Sequence, residues 1–213
     1  MKICIIGSGY VGLVSGSCFS DLGNNVICVD NNLDKINSLK MGIIPIYEPG
    51  LKELISRNVK QNRLHFSSNL AKSVQKSDII FICVGTPTNK KTYEANLKYV
   101  YQVVKVIKKN LNKYKIIVTK STVPVTTGDK IEKLLKTKNN TKLFNVVSNP
   151  EFLREGEAIR DFMYPDRVIV GTDNKKASNI LKNLYSPIIK KKGVYFNTSR
   201  RAAEVIKYAA NAF

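Results

Sequence analysis

The apolar run Lys2–Ile6 feeds directly into Gly7-Ser8-Gly9-Tyr10-Val11-Gly12, and no other stretch restricts the fold as much. The run predicts a buried strand, and the residues after it, to about Leu22, predict a helix. A second strand, Asn25–Val29, ends at Asp30. Strand, glycines, helix and a terminal acid roughly 20 residues on form the dinucleotide fingerprint in the context it requires. Gly7 suits the tight turn, Gly9 the approach of backbone to a pyrophosphate, and Gly12 close packing of helix on strand. The helix start, with Tyr10 and Val11, turns free N–H groups toward phosphates. Asp30 is placed to accept from a ribose hydroxyl, and its charge repels a 2′-phosphate, so the expected cofactor is NAD rather than NADP. Lys35, on the next predicted helix, comes within reach of the adenosine ribose or phosphate; an exposed helix lysine is the plainer reading.

The rest of the chain repeats the alternation. A turn at 45–51 leads into a helix to about Lys60, Leu64–Ser67 predicts a short strand, and Asn69 caps a helix to Lys76. The continuous apolar run 79–84 reads as a strand covered on both faces. It ends in Gly85-Thr86-Pro87-Thr88, small hydroxyl residues suited to touch a cofactor, or a plain turn. Asn96 is expected to cap a helix to about Leu111. Strand Lys115–Thr119 follows and ends in the hydroxyl-rich Lys120-Ser121-Thr122, ahead of a helix at Thr127–Leu135. Strands at 144–147, 168–171 and 194–196 alternate with helices at 158–162, 174–185 and from Arg200 onward, the last capped by Ser199. This pattern predicts an α/β fold: a Rossmann-type, doubly wound, mainly parallel sheet with helices on both faces. Gly7, Thr86, Thr122 and Glu151 should share its C-terminal edge, where such sheets bind ligands. Residues 1–198 are read as this domain and 199–213 as the start of a helix leading onward. The sequence stops at Phe213 inside that helix without a Gly, Pro or polar cap, so the natural chain is expected to continue.

Composition removes several alternatives. A formal charge of +19 raises the question of nucleic acid. The lysines are dispersed, however, and the denser groups, at 108–115 and 190–192, lack the interleaved aromatics of a stacking platform. No nucleic-acid partner is expected, although the charge favours anionic ligands such as nucleotides. No run approaches the roughly 20 apolar residues of a membrane span, and the N-terminus is too short for a secretory signal, so the expectation is a cytoplasmic protein without a membrane partner. Cys4, Cys18, Cys28 and Cys83 show no metal-ligand spacing and read as core residues in a reducing compartment. The single histidine, His65, makes histidine-based acid–base chemistry and a His-rich metal site improbable.

The stretch 148–156, Ser-Asn-Pro-Glu-Phe-Leu-Arg-Glu-Gly, follows the strand at 144–147 and places Glu151, Arg154 and Glu155 around Phe152 and Leu153. Further on, Glu204, Lys207, Tyr208 and Asn211 recur at helical spacing on one face, flanked by Ala203, Ile206, Ala209 and Ala210. GSGYVGL at 7–13, PIYEPGL at 45–51, VGTPT at 84–88, KSTVPV at 120–125, NPEFLREG at 149–156, PDR at 165–167 and ExxKYxANAF at 204–213 together resemble the UDP-glucose/GDP-mannose 6-dehydrogenase family over the whole chain. PIYEPGL and EFLREG look more like its UDP-glucose branch.

The resemblance implies NAD-dependent oxidation of a nucleotide sugar's primary alcohol to the carboxylate in two steps, with UDP-glucose as partner. A cysteine carries the intermediate as a thiohemiacetal and then a thioester. By motif, it implies that Thr122 orders a water near the nicotinamide and that Glu151 is the base for thioester hydrolysis. Glu151, Phe152, Leu153, Arg154 and Glu155 would line the substrate, and Glu155 would also approach the cofactor. Lys207 would stabilise the oxyanion, and Asn211 would help to hold it or the water. The family's nucleophile lies in a GGxCxPKD segment that is not in this sequence, and Cys4, Cys18, Cys28 and Cys83 sit in other motifs. The expectation is thus the cofactor-binding part of a homodimeric enzyme of polysaccharide precursor synthesis, inactive by itself. Two other readings stay open: a sibling acting on GDP-mannose or a UDP-N-acetylhexosamine, and a non-catalytic NAD-binding module.

Overall fold

The structure, a computed structural model, describes residues 1–190 and 193–212. Lys191, Lys192 and Phe213, part of the lysine group and the end of the final motif, lie outside the described residues. The strands are β1 (Lys2–Ile6), β2 (Asn25–Val29), β3 (Leu64–Ser67), β4 (Ile79–Ile82), β5 (Lys115–Thr119), β6 (Phe144–Ser148), β7 (Arg167–Gly171) and β8 (Val194–Thr198). The helices are α1 (Tyr10–Asp21), α2 (Leu33–Lys40), α3 (Leu51–Lys60), α4 (Leu70–Lys76), α5 (Lys98–Lys109), α6 (Thr127–Leu135), α7 (Ala158–Met163), α8 (Lys175–Ile189) and α9 (Arg200–Ala212).

Among the described residues the strands form one sheet in the order β3-β2-β1-β4-β5-β6-β7-β8. β1 to β6 pair in parallel, the doubly wound arrangement expected. Alternate residues of the central strands supply two cores, as the two-residue period of a strand requires. Ile3, Ile5, Ile79, Phe81, Ile116 and Val118 face α1, α3, α7 and α8. Cys4, Ile6, Ile80, Ile82 and Ile117 face α4, α5 and α6 through Val74, Val104 and Ile131. No helix among the described residues is long and apolar enough to cross a membrane.

The sheet reverses at one place. β7 meets β6 antiparallel, at Ser148 opposite Gly171, and β8 follows β7 in parallel. A parallel return would need a crossover that carries the chain back along the whole strand. The six residues of α7 span only about 9 Å, and Glu48 of the 45–51 turn holds this segment at the C-terminal edge, accepting from Gly156 N at 2.9 Å and Ile159 N at 3.3 Å. β7 therefore starts beyond that edge, at Arg167, and comes down to it, so that its last residue, Gly171, meets the last residue of β6. Asn149, which precedes Pro150, donates its side-chain amide to the Ile169 carbonyl at 2.8 Å and ties the turn to β7.

Element ends follow local chemistry. Asn69 and Asn174 accept from the amides of Lys72 and Ala177, as N-caps do. Asn96 accepts from Lys98 N, but the capping position itself is Leu97, so α5 starts later than its sequence suggests. α8 continues past Tyr185 and through Pro187. The proline has no N–H for the Asn183 carbonyl, and the Ser186 hydroxyl donates to that carbonyl instead, at 2.9 Å.

α9 packs on β6 and β7. A Cβ built on Gly171 would lie 2.6 Å from Ala203 Cβ and 2.9 Å from Arg200 Cα, so this seat exists because residue 171 has no side chain. Gly171→Ala should cost about 1–3 kcal/mol by overpacking and lower the denaturant midpoint. An unchanged midpoint would show that α9 is not seated there.

Candidate functional site

Because β1, β4, β5 and β6 run in parallel, the residues just past their ends gather on one edge: Gly7, Thr86, Thr122 and Glu151. Two sites occupy this edge, a cleft over β1 and β4 and a charged turn past β6.

The cleft encloses about 460 Å³ and is lined by Gly7, Gly9, Asp30, Lys35, Val84 and Gly85, with Tyr99, Gln102, Val103 and Val106 of α5 on its far wall. The fingerprint glycines divide the work. Gly7 has φ +100°, and an added Cβ would lie 2.6 Å from the Cys83 carbonyl oxygen. A Cβ on Gly12 would lie 1.8 Å from the Gly7 carbonyl oxygen. Both glycines are thus demanded by packing. Around Gly9 nothing lies within 4 Å of an added Cβ. Gly9 borders open space at the start of α1, where no side chain caps the helix and no acid occupies the first turn. Its N–H groups are thereby left for an anion. Tyr10 and Val11 open α1, with Val11 packed against the core.

Asp30 accepts from Ser8 N at 2.9 Å, Asn32 N at 3.1 Å and Lys35 Nζ at 3.1 Å. Burial opposes its ionisation, but the Asn32 and Ser8 amides and the Lys35 ammonium outweigh it and hold the carboxyl below the usual carboxylate range. Lys35 is consequently not a free helix lysine. It is half of an ion pair on the cleft wall. Cleft, open glycine, uncapped helix start and ionised acid fit a dinucleotide.

Thr86 and Thr122 meet directly. The Thr86 hydroxyl donates to the Thr122 carbonyl at 2.8 Å, and the Ser121 hydroxyl donates to the Val84 carbonyl at 2.7 Å, so the turns past β4 and β5 are one unit.

Past β6, Glu151 pairs with Lys207 of α9 at 2.9 Å, their side chains 12% and 9% exposed. Glu151 also accepts from Leu153 N at 2.8 Å. The Phe152 ring is approached by two cations, the Lys207 ammonium 5.6 Å from its centroid and the Arg167 guanidinium at 4.9 Å. A pair this desolvated is costly to break, about 3–5 kcal/mol when one partner is lost. Arg154, expected to line the substrate, is exposed and ion-paired within its own turn with Asp161 and Glu157. Its guanidinium holds the Asp161 carboxyl below the usual range. Glu155 is exposed on the same turn, and Leu153 packs partly on the core. The polar stripe of α9 divides. Glu204 and Lys207 are buried, whereas Tyr208 and Asn211 are exposed, and Asn211 lies one turn beyond Lys207.

Four further groups complete the edge. Lys120 is buried beneath the turn, its Nζ 3.4 Å from Asn149 Oδ1, and burial lowers its pKa. Tyr185 donates to the same Asn149 oxygen at 2.5 Å. Glu48 caps the 154–159 segment, and Glu204 accepts from Thr126 N and Gly128 N, both at 2.7 Å, at the start of α6. A signal for Lys120 existed, a cation one residue past Thr119 at the end of a central strand with the apolar middle Ile116-Ile117-Val118, and for Glu48 another, a carboxylate held between two prolines. Burial pushes the Cys83 thiol up to about 12 and the thiols of Cys4, Cys18 and Cys28 higher still, so none is poised to act as a thiolate. No cluster of His, Cys, Asp and Glu among the described residues could hold a metal ion.

Residues 1–189 match the model of the UDP-glucose/GDP-mannose dehydrogenase family, NAD binding domain. Over its full length the chain is 48% identical to a UDP-glucose 6-dehydrogenase of Rhizobium meliloti and 50% identical to the UDP-glucose 6-dehydrogenase TuaD of Bacillus subtilis. It covers 49% and 45% of those proteins, so it spans about half the length of the curated relatives it matches. Among solved structures, a UDP-glucose dehydrogenase from Pyrobaculum islandicum superposes with a TM-score of 0.93 at 34% identity, over 99% of this chain and 49% of that one. A GDP-mannose dehydrogenase from Pseudomonas aeruginosa superposes at 0.92, also at 34% identity, over 100% of this chain and 49% of that one.

The chain should bind NAD at least about tenfold more tightly than NADP, a difference of about 1.4 kcal/mol. Asp30→Ala should narrow that gap by removing the charge that repels a 2′-phosphate. Calorimetric titration with both cofactors checks this, and equal affinities in the native chain would refute the role of Asp30.

Proposed function

Since the chain belongs to the UDP-glucose/GDP-mannose dehydrogenase family, in its NAD binding domain, we propose that it is the cofactor-binding half of an enzyme that oxidises UDP-glucose to UDP-glucuronate. The observation that carries this reading is the buried Glu151–Lys207 pair on the same sheet edge as the dinucleotide cleft. A dinucleotide store has no use for a desolvated acid and base beside the cofactor; a dehydrogenase that must also hydrolyse a covalent intermediate does.

NAD supplies the hydride acceptor in both oxidation steps. Asp30 receives the adenosine ribose, with Lys35 beside it, and the open side of Gly9 at the start of α1 receives the pyrophosphate. Thr86 and Thr122, locked together, border the nicotinamide end, where Thr122 orders a water. Lys207 stands where negative charge develops on the sugar's C6 oxygen and lowers its energy. Glu151, held by Lys207 and the Leu153 amide, takes a proton from the hydrolytic water when substrate draws the ammonium away. Phe152 and Leu153 shape the wall of the sugar site, with Glu155 at its cofactor end. Asn211 joins only if the end of α9 closes over the turn. The thiol for covalent catalysis is none of the four buried cysteines, and we assign it to the part of the relatives that this chain does not span.

UDP-glucose is favoured over a sibling sugar nucleotide by the UDP-glucose 6-dehydrogenases at 48% and 50% identity. The structural likeness does not separate the two, with TM-scores of 0.92 toward the GDP-mannose enzyme and 0.93 toward the UDP-glucose one. The reading carries with it a cytoplasmic location, a homodimeric parent and a product destined for polysaccharide synthesis.

The purified chain should bind NAD and yield no NADH with UDP-glucose, whereas a longer chain carrying the family's cysteine segment should yield two NADH per sugar. Steady NADH formation by the chain of 213 residues would overturn the assignment of the thiol. In the longer chain, Lys207→Ala should lower kcat by about 10²–10³ if Lys207 stabilises an oxyanion, with NAD affinity unchanged.

A further inference from the structure

One buried side chain joins the cleft to the 151–159 segment. Glu48 comes from the 45–51 turn between α2 and α3 and is 6% exposed. Its Oε2 accepts from the Tyr10 hydroxyl and from Gly156 N at 2.9 Å, and its Oε1 accepts from Ile159 N at 3.3 Å. Gly156 N also lies 3.0 Å from the Tyr10 oxygen, which is 3.3 Å from the Arg154 carbonyl oxygen. Burial, reinforced by Glu48, pushes the Tyr10 phenol up to about 12.

We propose that Glu48 is a positioning residue that couples the dinucleotide cleft to the 151–159 segment, so that a cofactor at the start of α1 and a ligand on the turn favour each other's binding. The proposal rests on the reading of the cleft as the NAD site. Among the described residues no lysine or arginine pairs with Glu48, and its charge is held by N–H and O–H donors alone. A buried carboxylate is an expensive way to fill space, and an apolar side chain would serve packing better. What it provides is direction. Tyr10 is the first residue of α1. Its backbone sits where phosphates bind, and its phenol reaches Glu48. Phosphates that immobilise the first turn of α1 therefore also restrict Glu48, and through it the amides of Gly156 and Ile159. No change of shape is required, because binding to an already ordered partner costs less entropy. The effect is reciprocal: whatever orders the turn strengthens cofactor binding by the same factor.

Hydrogen exchange of the Gly156 and Ile159 amides, with and without saturating NAD, tests this in the chain as it is. NAD should slow both amides by about tenfold through lower opening of the segment. In Glu48→Gln, NAD should still bind, since Gly7, Gly9 and Asp30 are untouched, but the slowing should vanish at both amides. In Tyr10→Phe, which keeps the carboxylate, the slowing should be reduced at both while the ligand-free exchange of Ile159 stays native. A purely structural role for Glu48 would raise ligand-free exchange in Glu48→Gln yet leave the NAD-induced slowing in place, and that result overturns the proposal. So does native exchange that NAD leaves unchanged. If Glu48→Gln does not fold, Tyr10→Phe decides alone, and undiminished slowing there is also fatal. Failure of the native chain to bind NAD is a separate outcome that strikes the cofactor reading itself.

Discussion

Everything at the ligand edge depends on how closely α1 lies against the end of β1. The turn between them is squeezed: Gly7 N donates to the Val29 carbonyl at 2.7 Å on one side, and the Cys83 carbonyl presses on Gly7 from the other. Gly12 then allows α1 to pass within contact of the Gly7 carbonyl. A single methyl at either glycine would push α1 off the sheet, and α1 cannot move alone. Residues 12–20 are buried continuously, and Phe19 lies 5.0 Å from Phe81 and Phe162 and 5.4 Å from Tyr185. These rings link β4, α7 and α8 to α1. The close approach that aims a helix start at the cleft thus also sets α7, and with it the turn that carries Glu151.

The irregular segments on that edge are held by carboxylates. Asp30 gathers the turn after β2, Glu48 caps the 154–159 segment, Glu204 caps α6, and Glu151 ties the turn past β6 to α9. In a chain with 35 Lys and Arg against 16 Asp and Glu, acids are scarce, and these four are committed to backbone amides together with Lys35, Lys207 and the Tyr10 hydroxyl. The choice is physical. A carboxylate has two oxygens, each able to accept more than one N–H, so one side chain can satisfy several orphan amides where a strand or helix ends. A lysine donates only and cannot do this. Lys115 illustrates the converse. It is fully buried at the opposite edge, where it donates to the Gln75 and Ser77 carbonyls at the end of α4, at 3.2 and 2.6 Å. Acids gather amides on the ligand edge, and a lysine gathers carbonyls on the other.

The sequence by itself determined the class of fold and the place of the cleft. Those depend on short-range patterns: apolar runs such as Lys2–Ile6 and Ile79–Ile82, three glycines at set spacing, and an acid at the end of the second strand. Such patterns are legible because neighbours along the chain enforce them. The tertiary structure alone decided which charged residues face each other. Lys207 and Glu204 share a helical face with Tyr208 and Asn211 in sequence, yet the first two are buried and the last two exposed. Nothing local marks the difference, because it comes from Gly171 and Gly128 opening room for α9 elsewhere in the chain. The same holds for Arg154, which pairs with Asp161, and for Glu48, whose partners lie at residues 10, 156 and 159. Periodicity records what each segment buries; it does not record which distant segment arrives to be buried against, and buried charges take their roles from that arrival.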